Sequence, residues 1–383
     1  MIDFGYTEDQ LNLKKEIIRF AKKELNNNVI ERDRQQTFSR DLWKKCGEMG
    51  LQGLPVPEEY GGLGLNAVST AIALEGLGYG CEDGGLVFSI CAHLLACVIP
   101  VWKYANEEQK QKYLPRLCDG SIIAVNGMTE PSSGSDAFNM STKALPDKEG
   151  YRITGTKTFS SNGPVADLAI LYAMSDAEKG YYGGISVFLV ERDTPGYIPG
   201  QKFEKMGLRT SPIGEIVLDN AFVPASAVLG GLGAGPTIFA YSMDWERICI
   251  AAAHIGTMER LLEKAIKYSK TRKASGNRIS SYQAISHKIV DMKIRIETSR
   301  NLVYKAAWLL DKGKHVTMDA SITKVYVSEA LIKCAMDTVQ IFGGYGFTTE
   351  YEVERILRDS MAGTIYSGAN EVQKNIIARW LGM

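Results

Sequence analysis

This 383-residue chain has no histidine or cysteine pair at metal-binding spacing. Its four histidines fall at 93, 254, 287 and 315, too far apart for a local zinc motif, so no metal centre is expected. The seven cysteines (Cys46, Cys81, Cys91, Cys97, Cys118, Cys249, Cys334) are odd in number and scattered; they read as reduced thiols of a cytoplasmic protein. No GxGxxG follows a strand-like run, which leaves a nicotinamide-type nucleotide fold without support. Net charge is also missing. Forty-four basic residues balance forty-four acidic ones, so no global field favours nucleic acid or an anionic membrane. The most apolar stretch, GGLVFSICAHLLACVIPVW, is interrupted by His93 and Pro100 and is short for a membrane span; a buried helix is expected. The N-terminus, MIDFGYTEDQLNLKKEIIRFAKKEL, carries acids early and no small-residue cleavage site, and reads as an amphipathic helix rather than a signal peptide.

What is present has a clear order. The length suits two or three domains. Thr7 is a plausible N-cap with Gln10 three residues later, and further helical runs lie near 40–49, 67–78, 86–99 and 107–117. From about residue 122 the character changes to short β-branched and aromatic runs: IIAVNGMTE, YRITGTKTF, LAILYAM, GISVFLVER and GEIVLDNAFV. GGLGAGP then reads as a connector, and from about 237 long helical patterns return. The expected fold is α+β: an N-terminal helical domain (1–121), a middle β-barrel domain (122–234) and a C-terminal four-helix bundle (235–383).

Four segments carry the chemistry. MTEPSSGSDAF (128–138) gives a turn dense in hydroxyls and backbone N–H groups, which can hold a flavin edge or a pyrophosphate without a positive charge. A solvated Ser/Gly loop has the same composition. TFSSNG (158–163), QIFGGYGF (340–347) and RILRDSMAGTIYSGANEVQ (355–373) complete the set. All four, in this order across a helix–strand–helix chain, resemble the acyl-CoA dehydrogenase superfamily, and the resemblance covers essentially the whole sequence.

That resemblance implies FAD at the junction of the β-domain and the C-terminal bundle. Met128 and Thr129 would face the pyrimidine side of the flavin, and Ser135 its pyrophosphate. Phe159 stands where the family usually has tryptophan, and Ser161 keeps a hydroxyl where threonine donates to the ring. Arg272 and Gln283 match positions that hold the FAD of a neighbouring subunit, with Gln340, Gly343 and Gly344 at the adenylate, which implies a homotetramer. Gly368 and Asn370 belong to the closing flavin turn. One departure is visible: after Arg272-Lys273 the family commonly has Thr-Phe-Gly, whereas Ala274-Ser275-Gly276 stands here. Arg358 and Asp359 fit the family's Arg-Asp pair, with a structural role expected first.

The family reaction needs a base for the substrate's α-proton and hydrogen bonds to the thioester oxygen. In many members the base is a glutamate at the position of Ser367, whose hydroxyl cannot accept a proton near neutral pH. Ser367 is expected to contribute only its backbone N–H, beside Tyr366. SMDWERICI supplies the replacement. Some members place the base on the first helix of the C-terminal domain, in a Glu-Arg sequence, and Glu246-Arg247 matches it. A desolvated glutamate there is a better base, although helix glutamates also pair with neighbouring cations. Asp244 and Arg247 match positions that touch the acyl-carrier arm or adjacent backbone; ion pairing on the helix is the other reading.

The expected activity is FAD-dependent α,β-dehydrogenation of an acyl thioester. This helix beside a serine resembles the branch acting on carrier-protein thioesters, with L-prolyl-carrier protein as first candidate. The alternatives are a dehydrogenase of short or branched acyl-CoA and a flavin scaffold that has lost catalysis. The electron acceptor is an electron-transfer flavoprotein or oxygen. Lys264, Lys267, Lys270, Lys273 and Arg278 offer a basic landing surface for an acidic carrier, or simply a solvated helix face.

Overall fold

The computed structural model describes residues 5–383; residues 1–4, part of the expected first helix and first domain, lie outside the described residues. Thr7 caps α1 (Glu8–Glu24) reciprocally with Gln10: the Thr7 hydroxyl accepts from Gln10 N at 3.2 Å, and Gln10 Oε1 accepts from Thr7 N at 3.0 Å. Next come α2 (Val29–Gln35), α3 (Arg40–Glu48), α4 (Ala67–Gly80) and α5 (Gly84–His93). A π-helical segment, Leu94–Val98, joins α5 to α6 (Ile99–Tyr104), and α7 (Glu107–Cys118) closes the domain. The apolar stretch over α5 and α6 is long and apolar enough to cross a membrane, yet most of it is buried inside the protein, as expected of a core helix. The short, charged α2 went unread in the sequence.

The β-domain holds β1 (Ala124–Gly127), β2 (Lys143–Asp147), β3 (Gly150–Ser161), β4 (Leu168–Met174), β5 (Ile185–Glu191), β6 (Tyr197–Lys202), β7 (Ile213–Pro224) and β8 (Val228–Leu229). Their order is β6-β7-β3-β2-β4-β5-β8, with β1 running parallel beside β4. The expected β-barrel domain is an eight-stranded mixed sheet whose pairing path has β6 and β8 at its ends. Only one residue pair, Lys143 with Met174, joins β2 to β4. The sheet encloses a core of its own, including Ile153, Leu171, Phe188 and Ile216. Near its end β3 shifts register against β7 between Lys157 and Ser160. That irregularity throws Phe159 outward with φ of 50°, two-thirds exposed.

The C-terminal domain is helical: α8 (Gly235–Thr271), α9 (Gln283–Asp311), α10 (Thr317–Phe342), α11 (Val353–Ser360) and α12 (Asn370–Trp380). The helix α8 packs against α9 and α10, with α12 beside α10, and it also crosses α4 of the first domain. That crossing depends on glycine. A Cβ on Gly78 would lie 2.0 Å from Ala253 O, and one on Gly256 2.1 Å from Glu75 O. Only bare backbone fits such an approach. Buried Glu75 ties the same region together, accepting from Lys14 at 2.6 Å, Arg300 at 3.0 Å and the Tyr304 hydroxyl at 2.5 Å.

Candidate active site

Glu246 lies a third of the way along α8, on the face turned away from solvent, and is 6% exposed. Its Oε1 accepts a 2.5 Å hydrogen bond from the Ser367 hydroxyl, across 121 residues of sequence. Its Oε2 is buried with no partner. A buried carboxylate oxygen without a donor is costly, and such an atom points to a ligand or a reacting group. Burial raises the Glu246 pKa above its ordinary value; the Ser367 bond and the charges of Arg247 and Lys324 oppose that rise.

The turn that presents Ser367 is held from several sides. Ser367 has φ of 55° and Gly368 84°, both left-handed. Arg247 Nε donates to Ser367 O at 3.3 Å, and Gln373 Nε2 donates to Ser367 O and Gly368 O at 3.1 and 3.0 Å. Arg247 thus meets adjacent backbone, one of its two expected roles. Its nearest carboxylate oxygen, on Asp244, stands 3.9 Å away, and Asp244 Oδ2 accepts from Thr317 at 3.0 Å. Tyr366 shares a 2.7 Å bond with His254 Nε2, and its ring lies 4.8 Å from that of Phe88.

Sequence reasoning erred on the Ser367 side chain. It was assigned only a backbone role, and its hydroxyl binds the carboxylate. Two residues so far apart show no local pattern that would reveal the contact. Lys324 and His254 were also overlooked. Buried Lys324 donates to Asn370 Oδ1 at 2.9 Å, and burial lowers its pKa to about 8. The Asn370 amide turns to Ser328 and Glu329, so this side chain, expected at the cofactor, is committed to fixing the start of α12.

On the β-domain side, Thr129 O accepts from Thr158 N at 2.9 Å, which sets Met128 and Thr129 beside Phe159 and Ser161. The hydroxyl-rich turn that follows has a buried lock that sequence reasoning did not name. Glu130 accepts from Lys157 Nζ at 2.8 Å, from Ser141 N at 2.5 Å and from Thr142 N at 2.9 Å. Burial alone would raise the Glu130 pKa, but the Lys157 charge and these bonds bring it down to about 2. Ser135 stands exposed on the turn.

The first-domain segment α5–α6 is the wall common to both sides. Asn162 Nδ2 donates to Ser89 O on α5 at 3.0 Å, Asn126 Nδ2 to Ala96 O at 3.2 Å, and Phe88 packs on Tyr366. The turns expected at the flavin and the proposed base therefore flank one helix.

Arg272, Gln283, Gln340, Gly343 and Gly344 lie apart from this cluster, all exposed at one end of the C-terminal domain. Arg272 sits 5.7 Å over the Tyr345 ring, next to the two glycines. Of the five basic residues in the candidate landing surface, Lys264 is half-buried 3.4 Å from Glu82; the other four are exposed. Arg358 and Asp359 do not pair with each other. Arg358 binds Glu354 and Asp33, and Asp359 accepts from Leu208 N, a structural arrangement.

A helical domain, a β-domain and a second helical domain with a buried, half-satisfied glutamate at their junction define a family. Domain profiles of the acyl-CoA dehydrogenases match residues 7–121 (N-terminal), 126–221 (middle) and 233–382 (C-terminal). The chain belongs to the acyl-CoA dehydrogenase family. Among its relatives is an L-prolyl-[peptidyl-carrier protein] dehydrogenase of Serratia sp. (strain ATCC 39006), 40% identical over 382 residues, covering 100% of this chain and 99% of that one. Among solved structures, the prolyl acyl carrier protein oxidase AnaB superposes with a TM-score of 0.97 at 42% identity, over 99% of this chain and 100% of that chain. PigA, solved with FAD and proline, has a TM-score of 0.97 at 40% identity, over 100% of this chain and 99% of that chain.

Proposed function

We propose that this chain is an FAD-dependent dehydrogenase or oxidase of an L-prolyl thioester carried on a peptidyl-carrier protein. The observation that carries the reading is Glu246: a buried carboxylate with one oxygen tethered and the other free, on the turn-facing side of α8. Full-length likeness to prolyl-carrier enzymes supports the substrate.

The residues fit a flavin without a local positive charge. Exposed Phe159 offers a ring face, Thr129 and Ser161 offer hydroxyls, and Gly343 and Gly344 have open space where a Cβ would stand. When bound, FAD supplies the two-electron acceptor for the hydride that leaves the substrate. Glu246 Oε2 takes the α-proton, while the Ser367 bond keeps Oε1 occupied and aims the free oxygen. The raised pKa makes the carboxylate a stronger base, and burial keeps water from competing. Backbone N–H groups of the Ser367 turn, held by Arg247 and Gln373, stabilise charge on the thioester oxygen. Arg272, Gln283, Gln340, Gly343 and Gly344 are exposed in the single chain, which suits a cofactor shared with a neighbour in a homotetramer. The electron acceptor would be an electron-transfer flavoprotein or oxygen. All seven cysteines are buried free thiols, in keeping with the cytoplasm.

Stopped-flow bleaching of the flavin tests the substrate. Prolyl-carrier protein should bleach it quickly, prolyl-CoA more slowly and isovaleryl-CoA hardly at all. Fast bleaching by isovaleryl-CoA with none by the prolyl-carrier protein would assign the chain to ordinary acyl-CoA oxidation.

A further inference from the structure

Glu246 lies close to solvent towards the N-terminal end of α8. Asp244 is the last part-exposed residue before a buried run from Trp245 to Ala253. It stands two residues from the base, about 3 Å along the helix axis. Its Oδ2 accepts from Thr317, the first residue of α10, at 3.0 Å. Burial raises the Asp244 pKa, and the Thr317 bond and the charges of Arg247 and His315 oppose the rise, so His315 faces the same carboxylate. Tyr241, one turn earlier on that face of α8, has Lys103 Nζ 5.7 Å over its ring. The loop between α9 and α10, residues 312–316, and the end of α6 therefore rim the approach to the base.

The rim is positive. Lys312, Lys314 and His315 are exposed, as is Lys103. None of the three lysines is in an ion pair among the described residues. The acids on the neighbouring helices are committed elsewhere: Asp311 accepts from Ala67 N and Val68 N at 2.7 and 3.1 Å, and Asp319 pairs with Lys305 at 2.8 Å. Trp308, one turn before Lys312, is half-exposed, with Lys312 Nζ 6.0 Å over its ring. An exposed aromatic ring edged by unpaired cations is complementary to an acidic protein surface. Reach separates this rim from the other basic surface. A carrier's thioester hangs on an arm with the chain length of about five residues, which extended spans ~17 Å. Lys264 lies eighteen residues past Glu246, about 27 Å along the axis, and Lys270 about 36 Å. An arm anchored there falls short.

We propose that the α9–α10 loop, with Trp308 and Lys103, is the docking surface for an acidic carrier protein, whose arm passes Asp244 to reach Glu246. The proposal rests on the carrier-thioester reading and on Glu246 as the base. Lys312 and Lys314 meet carboxylates of the carrier, and Trp308 supplies the apolar contact between them. Lys264, Lys267 and Lys270 then belong to a solvated helix face.

Stopped-flow bleaching of the flavin-loaded protein, titrated with prolyl-carrier protein, tests this. In the double variant Lys312→Glu/Lys314→Glu, the carrier concentration giving half the limiting rate should rise about tenfold or more, since reversed rim charges slow the encounter. Added salt should raise that concentration in the wild type and barely move it in the variant. Prolyl-pantetheine, which lacks both protein and phosphate, should bleach the two alike, and this rate also reports that the variant's site is intact. The same reversal at Lys267 and Lys270 should shift half-saturation by less than about twofold. Half-saturation unchanged in Lys312→Glu/Lys314→Glu overturns the proposal, as does a larger loss from the Lys267 and Lys270 reversal. An equal loss with prolyl-CoA assigns the loop to phosphate and not to the carrier, which also overturns it. A wild type bleached by no prolyl thioester refutes the substrate reading itself, and the docking surface falls with it.

Discussion

Removing a single hydroxyl separates the two accounts of Ser367. In Ser367→Ala the turn keeps its backbone N–H groups, and the bonds from Arg247 and Gln373 go to carbonyls that survive the change. Only the 2.5 Å bond to Glu246 is lost. A hydrogen bond to a charged group contributes ~1.5–3 kcal/mol. That energy stabilises the charged resting carboxylate and fades as the proton arrives, so what the loss costs is the aiming of Oε2, and flavin reduction should slow by about tenfold, or 1.36 kcal/mol. The Ser367 bond also holds the Glu246 pKa down against desolvation, so its loss moves that pKa further up. The acidic limb of the rate profile should shift to higher pH, and the deficit should be largest on the acid side. Ser367→Gly is the control for backbone strain, because glycine adopts the left-handed φ of 55° at no steric cost. It should lose as much as alanine does. Stopped-flow absorbance with saturating substrate across pH reads both quantities. Rates within twofold of wild type in both variants, with the acidic limb unmoved, would refute the positioning role.

Three further outcomes follow from the same geometry. Glu246→Gln preserves shape and should keep the flavin while slowing its reduction by ~10²–10⁴-fold, the usual worth of a general base; rapid-mixing absorbance measures it, and a wild-type rate would remove Glu246 from catalysis. Glu130→Gln leaves Lys157 buried without its counter-charge and should cost about 3–5 kcal/mol at neutral pH in denaturant titration. Because the folded Glu130 pKa is depressed to about 2, its stabilisation is present above the ordinary carboxylate range and is lost as pH falls through that range towards 2. The gap between wild type and variant should therefore narrow in acid; a constant gap would refute the ionic account. Sedimentation should show a yellow homotetramer, and Arg272→Ala should release FAD more readily; a colourless monomer indifferent to added FAD would contradict the shared-cofactor corner.

The fold was legible where periodicity and turn chemistry agreed. Thr7 and Gln10 announced α1, and the β-branched runs announced β3, β4, β5 and β7. Strands β2 and β6, KALPD and YIPGQK, were missed because proline and charge dilute the alternation in short, largely exposed segments. The strand order was not legible because it is a non-local property, and a seam of one residue pair leaves no trace in the sequence. Glu246 stood out because Glu246-Arg247 matches the Glu-Arg position of the family resemblance. Its tether to Ser367, the Lys324–Asn370 bond and the His254–Tyr366 bond were not legible, since each joins helices or turns brought together only by packing.

The tether has a consequence for how such enzymes diverge. Positions 246 and 367 share a hydrogen bond, so on the proposed reading they are one address served by two sites in the chain. A sequence with glutamate at both would bring two carboxylates together, and one of them would be forced to stay protonated. A lineage exchanging one base for the other therefore gains little by carrying both fully charged. Passage through a small hydroxyl or a bare backbone at 367 is the low-energy route. On the proposed reading serine at 367 is no vestige of a missing base, since its hydroxyl holds the carboxylate on the other helix.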